Sequence, residues 1–326
     1  MSRRAGSFVV YMHVLVSRLL LRAARSDRLR KWARSSPVVR SAVRRFLPGE
    51  ELEDALDAAE RLAEDGIDSV LTFLGENVES AGEAREVREQ YLHALAESRG
   101  HPGEPEISVK PTHLGLALDT GVARESMRAL AEASARTGRT LWIDMERAPH
   151  VDPTLDLYRD LRREGLAVGV CLQAYLYRTE EDLEELIELE AGLSSEGGVR
   201  LVKGAYDEPS RVAYPDREDV DENFLRLGRR ALDVEGIGLR TAFATHDRRL
   251  HRRLRAEARE RDIEPGACEF QMLYGIETEA QRTLAREGEA VRTLISYGSH
   301  WFPWYMRRLA ERPANLLFVL RQALPG

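Results

Sequence analysis

Cysteine is nearly absent: the 326 residues hold two, Cys171 and Cys268. Each sits inside an apolar run, VGVCLQAY and ACEFQML, so both are expected as small buried hydrophobes in strands. No Cys/His cluster has zinc spacing, so neither a disulfide nor a metal role is expected. A reduced, cytoplasmic compartment fits. No glycine-rich turn of the form G-x-G-x-x-G occurs, which removes the main support for a doubly wound nucleotide-binding sheet. No apolar run is long enough to span a bilayer. The best, residues 8–21 (FVVYMHVLVSRLLL), is interrupted by His13 and Arg18 and falls short of the roughly 20 residues required. Ser2-Arg3-Arg4 bears a faint likeness to a twin-arginine export signal, but no clean small-residue cleavage site follows, so export is not expected. No low-complexity linker divides the chain.

Against these absences, 43% hydrophobic and 32% charged residues allow a sizeable core under a well-solvated surface. The net charge of −7 hides an asymmetry. Residues 1–50 hold twelve Lys/Arg against Asp27 and Glu50, a balance of +10, so the rest carries −17. A body this acidic is not a nucleic-acid binder by charge. Residues 1–50 read as a basic, amphipathic helical arm: Val9, Val10, Val14, Leu15, Leu19 and Leu21 cluster loosely while Arg18, Arg22 and Arg25 recur at helical spacing. Such a helix either lies in an anionic bilayer interface, giving peripheral contact with the inner face of the cell membrane, or packs on the acidic body at its bottom or side.

Beyond residue 50, short β-branched apolar runs alternate with amphipathic segments. Strands are predicted at 69–73, 107–110, 141–144, 167–174, 200–205, 240–245, 268–273 and 292–296. Helical spacing of apolar residues marks 123–136, 155–163, 180–191, 222–234, 248–261 and 278–287, and 51–65 forms an acidic helix before the first strand. Thr179 followed by Glu180, Glu181 and Asp182 reads as a helix N-cap. Gly138, Gly165, Gly236 and Gly288 stand where helices should stop. Parallel strands need crossovers, so the alternation predicts a parallel sheet. Eight such units over 51–326 predict one domain, a closed TIM-like (β/α)8 barrel, with the open doubly wound sheet as the alternative.

In such a barrel chemistry collects where strands end at the carboxyl face. The predicted ends carry Glu76-Asn77, Lys110, Asp144-Met145-Glu146, Gln173, Lys203-Gly204-Ala205-Tyr206, Thr245-His246-Asp247, then Glu269, Gln271 and Tyr274, and finally Tyr297. One polar end is ordinary; eight around a rim point to a concave site. Near the carboxyl terminus, Arg307 and Arg308 are adjacent, Glu311 is spaced to pair with Arg308, and Trp301, Phe302, Trp304 and Tyr305 flank them. A Schiff-base aldolase with Lys203 or Lys110 as nucleophile remains open on fold grounds. A membrane-surface scaffold would explain the arm but not the strand ends.

Seven stretches in order carry a family resemblance: ISVK (107–110), LWIDME (141–146), QAY (173–175), RLVKGAY (200–206), ATHD (244–247), EFQMLYG (269–275) and WYMRRLAE (304–311). Together they resemble the proline dehydrogenases, and in particular the small monofunctional bacterial members. The resemblance implies FAD-dependent oxidation of L-proline to Δ1-pyrroline-5-carboxylate on a (β/α)8 barrel, with electrons passed to a membrane quinone. It implies that Arg307, Arg308 and Lys110 hold the proline carboxylate, with Glu311 orienting them and Asp144 behind. Tyr206, Ala205, Leu273 and Tyr297 form the ring's apolar walls. Gln173, Arg200, Val202, Lys203, Gly204, Thr245 and His246 bind the flavin. Two positions depart from the family pattern: Trp304 replaces a usual Tyr, which bears on substrate selectivity, and Asp207 stands where longer bifunctional members have Trp. The Tyr297-to-Arg307 loop is short, as in the small members. No second catalytic domain follows Gly326, so the next oxidation, to glutamate, is expected from a separate pyrroline-5-carboxylate dehydrogenase.

Overall fold

The computed structural model describes residues 36, 39, 43–75, 78–234, 236–302 and 305–306. Its elements follow the predicted alternation. They are α1 (Leu52–Glu64), β1 (Asp68–Phe73), α2 (Ala81–Glu97), β2 (Glu106–Val109), α3 (Thr120–Ala135), β3 (Leu141–Ile143), α4 (Val151–Arg163) and β4 (Val168–Gln173). There follow α5 (Thr179–Glu190), β5 (Gly197–Val202), α6 (Arg217–Leu232), β6 (Leu239–Ala244), α7 (Arg248–Glu260), β7 (Glu269–Leu273), α8 (Thr278–Arg286) and β8 (Ala290–Tyr297). The eight strands pair in chain order as one closed barrel. β1 and β8 seal it in parallel, from Asp68↔Arg292 to Phe73↔Tyr297.

Burial on both faces explains the apolar runs that mark the strands. Outward residues such as Leu71, Ile107, Ile143, Val170, Val199, Phe243 and Ile295 join the core shared with the helices. α1 shows how a helix meets it: Leu52, Ala55, Leu56, Ala59 and Leu62 recur at three- and four-residue spacing and are buried. Inside the barrel, Val70, Trp142, Ala242 and Leu294 form a separate apolar layer. Below it, at the amino ends of the strands, Arg240 bridges Glu106 and Glu269 at 2.6 and 2.5 Å. Arg292 reaches the same two acids at 3.3 and 3.0 Å, so this end is plugged by paired charge.

Three local expectations need correction. β5 begins at Gly197, three residues before the predicted start, and ends at Val202, three residues before the predicted end. Its glycines are strand residues because neighbouring side chains fill the space a Cβ would take, the Glu190 carboxylate and Arg162 at Gly197 and the buried Trp142 indole at Gly198. A Cβ on Gly198 would lie 3.0 Å from that ring, and one on Gly169 of β4 would lie 2.5 Å from it. Thr179 does not cap α5: it is the first helical residue, and its hydroxyl donates to the Gln173 carbonyl at 2.5 Å, tying α5 to the end of β4. α2 was not predicted at all. Its signal is local: Ser80 accepts from the Glu83 backbone N–H at 3.2 Å, and Glu83 in turn accepts from the Glu79 N–H at 2.7 Å. The four predicted helix-stopping glycines all take positive φ. Both cysteines are free and buried.

Most of the arm lies outside the described residues; its end does not. Val39, Val43, Phe46 and Leu47 pack with Leu74, Trp301, Phe302 and Tyr305 in a second apolar cluster. A Cβ on Gly275 would fall 1.6 Å from the Arg45 carbonyl oxygen. Glu50 accepts from the Trp301 indole N–H at 2.8 Å. Leu74, Gly275 and Trp301 follow β1, β7 and β8, so this end of the arm meets the barrel at its carboxyl rim. The packing alternative had placed the arm at the bottom or side; the apolar residues beyond β1 and β8 draw its end to the rim. Among the described residues no helix is long and apolar enough to cross a membrane.

Candidate active site

β-Strand pleating puts residues i and i+2 on one face, so Ser108 and Lys110 both point into the barrel. Lys110 leaves β2 with extended backbone, and its ammonium donates to Asp144 Oδ2 at 2.9 Å. Asp144 follows β3, with its backbone N–H held by the Val109 carbonyl at 2.8 Å. Its other oxygen, Oδ1, accepts from Ser108 Oγ at 2.7 Å and lies 3.3 Å from Arg200 Nη1. Arg200, in the middle of β5, donates from the same Nη1 to Ser108 Oγ at 2.9 Å. Its guanidinium lies over the Trp142 ring, 4.4 Å from the centroid. The structure therefore brings Lys110, Asp144 and Arg200 into one hydrogen-bonded cluster, although they come from three strands.

Two cations around one carboxylate settle the charge states. Burial disfavours the Asp144 carboxylate, but Lys110, Arg200 and the Ser108 hydroxyl outweigh it and hold the acid below its usual range. Burial likewise works against the Lys110 ammonium, and Asp144 more than compensates, so the lysine stays protonated. Cys171, 3.6 Å from Arg200 Nη1, is pushed up to about 11 by burial and stays a thiol.

Around the rim the remaining expected residues fall into smaller groups. Gln173 is buried and donates to the Glu146 carbonyl at 2.9 Å. The Glu146 carboxylate accepts from Thr112 N–H and hydroxyl at 2.9 and 2.6 Å, fixing the turn after Lys110. Lys203 reaches Asp221 at 2.5 Å and Asp247 at 3.4 Å. Val202 ends β5, its carbonyl accepting from Ala174 N–H at 2.8 Å. Gly204 has φ +110°, and a Cβ there would lie 2.2 Å from the Tyr175 ring, so only glycine fits the turn. Thr245 is buried and accepts from Asp247 N–H at 3.2 Å. The Leu273 N–H donates into His246 Nε2 at 3.0 Å, which leaves the ring proton of a neutral imidazole on Nδ1. Tyr206 lies under the Arg147 guanidinium, 5.8 Å from its ring centroid, and Ala205 beside it is exposed. Tyr297 is buried against Phe73, with ring centroids 5.4 Å apart. Arg307, Arg308 and Glu311, and with them Trp304, Glu76 and Asn77, lie outside the described residues.

Sequence reasoning did not single out Ser108, Trp142, Tyr91 or Asp221. Ser108 had a signal, its i−2 spacing from Lys110. Tyr91 supports Ser108 by donating to its carbonyl at 3.2 Å. Trp142 and Asp221 gain their contacts only through closure of the barrel.

A closed parallel barrel with ionised groups meeting at its carboxyl rim is the architecture of a (β/α)8-barrel enzyme. The family model for proline dehydrogenase matches residues 55–321. Proline dehydrogenase 1 of Bacillus subtilis (strain 168) is 38% identical over 285 residues, covering 87% of this chain and 91% of its own. Proline dehydrogenase of Deinococcus radiodurans is 36% identical over 287 residues, covering 86% and 90%. Among solved structures, proline utilization A of Bdellovibrio bacteriovorus superposes with a TM-score of 0.77 at 24% identity. That likeness, over 83% of this chain and 32% of the longer one, is one of fold. The chain belongs to the proline dehydrogenase family, and it is an oxidoreductase that oxidises proline.

Proposed function

We propose that the enzyme oxidises L-proline to Δ1-pyrroline-5-carboxylate with FAD as hydride acceptor and a quinone as the final electron acceptor. The observation that carries the cofactor assignment is Arg200. It is buried on the barrel axis side of β5, and its Nε and Nη2 are buried donors without a hydrogen-bond partner among the described residues. Buried guanidinium nitrogens left unpaired are costly, and an electron-rich ring edge with acceptor atoms satisfies them. The donor set therefore fits a flavin. When bound, FAD supplies the acceptor for the hydride leaving the ring carbon beside the proline amine.

The chain's own part is binding and orientation. Lys110, with Arg307 and Arg308, holds the proline carboxylate; Asp144 keeps Lys110 charged and pointed, and Glu311 orients the arginine group. Tyr206, Ala205, Leu273 and Tyr297 wall the ring. Gln173, Arg200, Val202, Lys203, Gly204, Thr245 and His246 hold the cofactor. Each turnover moves a hydride from carbon and a proton from nitrogen, leaving a C=N bond. A Schiff-base lysine needs a neutral amine, and the Asp144 contact that keeps Lys110 protonated argues against Lys110 as the nucleophile of that rival. The product is the substrate of a pyrroline-5-carboxylate dehydrogenase.

Residues 1–50 are assigned to an arm, whose end packs on the rim, and 51–326 to the catalytic barrel; the +10 charge of the arm supports contact with the anionic inner face of the cell membrane, where a quinone resides. Two experiments test the reading. An anaerobic absorbance spectrum should show flavin that bleaches on adding L-proline; a colourless protein trapped on substrate by borohydride would overturn it. Full-length protein should sediment with anionic vesicles at low salt and less at high salt. Unchanged sedimentation after deleting residues 2–35 would remove the arm's membrane role.

A further inference from the structure

Ser108 stands between the two halves of the site and belongs to neither. It is fully buried in β2, and its single hydroxyl is used twice, donating to Asp144 Oδ1 at 2.7 Å and accepting from Arg200 Nη1 at 2.9 Å. The direct Arg200–Asp144 approach is longer, 3.3 Å, so the hydroxyl acts as a spacer in that ion pair. Its strand position is itself pinned, because Tyr91 donates to the Ser108 carbonyl and accepts from Phe73 N–H at 3.1 Å. We propose that Ser108 is a positioning residue: by holding Arg200 Nη1 off Asp144, it aims the two unpartnered Arg200 nitrogens at the flavin and couples them to the Lys110–Asp144 pair. The inference rests on the flavin reading above.

The geometry leaves the guanidinium little else to set its rotation. Its contacts are the Trp142 ring, which constrains tilt but not rotation in the plane, and the Nη1 contacts to Ser108, Asp144 and Cys171. Removing the Ser108 oxygen deletes the shortest of these. Charge attraction then draws Nη1 onto Asp144 Oδ1, and Nε and Nη2 turn with it, because the guanidinium is rigid and planar. A cation that no longer faces the reduced, more electron-rich ring stabilises it less. Lys110 Nζ binds the other Asp144 oxygen and keeps its contact.

The test is Ser108→Ala in the full-length holoenzyme, read by flavin content, flavin midpoint potential and steady-state kinetics with proline. The expected result is near-stoichiometric flavin and a roughly tenfold shift of the redox equilibrium toward the oxidised form, about 30 mV more negative for a two-electron couple. kcat should fall about tenfold while KM for proline stays within about threefold. Ser108→Cys, similar in size but a poor acceptor, should shift the potential in the same direction and serves if the alanine variant does not accumulate. In a cycle with Arg200→Lys the two potential shifts should be strongly sub-additive. An unchanged potential, additive shifts, or a loss confined to KM would overturn the proposal. Wild-type protein that carries no flavin, or whose flavin proline does not bleach, would sink the functional reading instead.

Discussion

His113 offers a pH test whose sign and size follow from its surroundings. It lies in the short 3-10 turn after Lys110, 6% exposed, stacked on Phe73 with centroids 6.1 Å apart and planes 6° from parallel. A Cβ on Gly75 would fall 1.9 Å from its Nε2, so the ring is closed in from the β1 side as well. Burial first, then the charges of Lys110 and His300, lower its pKa from 6.5 to about 4. A base whose folded pKa is depressed binds fewer protons folded than unfolded. Its stability contribution is complete above pH 6.5, is lost as pH falls, and levels off below about 4. At about 1.4 kcal/mol per pH unit the full loss is about 3 kcal/mol, of which about 2 kcal/mol has gone by pH 5. His113→Gln keeps a planar polar side chain and removes the titration. Urea unfolding of both proteins at pH 8 and pH 5 cancels the other titrating groups in the difference. Wild type should lose about 2 kcal/mol more than the variant over that interval. Equal losses, or a larger loss in the variant, would refute the burial argument.

Two further substitutions test other parts of the fold. Gly204→Ala must place a Cβ on the Tyr175 ring at a φ of +110°, and strain plus overpacking together cost about 2–6 kcal/mol. The purified protein should then retain clearly less FAD per chain, measured by the ratio of flavin to protein absorbance, and full occupancy would refute the fit. Arg162 and Glu190 form a fully buried pair at 2.7 Å between α4 and α5, with Tyr158 donating to the same acid. Arg162→Met leaves that carboxylate unpaired and should cost about 3–5 kcal/mol in urea unfolding, most of it recovered in Arg162→Met/Glu190→Leu.

The sequence was most informative where structure is periodic. All eight strands were visible because burial on both faces leaves uninterrupted apolar runs, such as Val168–Gln173, set between helical patterns. The error at β5 has a physical source. Gly197 and Gly198 look like a turn in one dimension, and only side chains from other elements, Glu190 and Arg162 at the first and the Trp142 indole at the second, explain why a strand needs them. α2 went unread although its buried residues, Ala84, Val87, Tyr91, Ala94 and Leu95, do recur at helical spacing; three of the five are alanine or valine, a weak apolar signal beside the leucines that mark the other helices. In the site, residue types at strand ends were legible, but partners were not. Lys110 and Asp144 are 34 residues apart, and Arg200 meets Ser108 across 92. Those contacts depend on closure and on small residues that leave room for long side chains, and neither property is local.

Closure also sets two unlike groups of charge at the two ends of the barrel. At the amino end of the barrel Arg240 and Arg292 face Glu106 and Glu269, with Asp68 beside Arg292 at 3.1 Å. That set is balanced to slightly acidic, and its groups bond to one another, so it behaves as a plug. At the carboxyl end Lys110 and Arg200 share Asp144, so that this one cluster holds two cations to one carboxylate and leaves two guanidinium nitrogens unspent. Between the ends lies Trp142, whose ring is approached by Arg200 at 4.4 Å and Arg240 at 5.3 Å. Its Nε1 donates downward to Glu106 at 2.7 Å. The indole thus separates the neutralised plug from a cluster in which two cations share one carboxylate. Charge left over in a concave, partly desolvated place draws an anion more strongly than the same charge on the outer surface. On the function proposed above, a proline carboxylate and a reduced flavin are two such anions, and the Lys110–Asp144–Arg200 cluster is where both would be drawn.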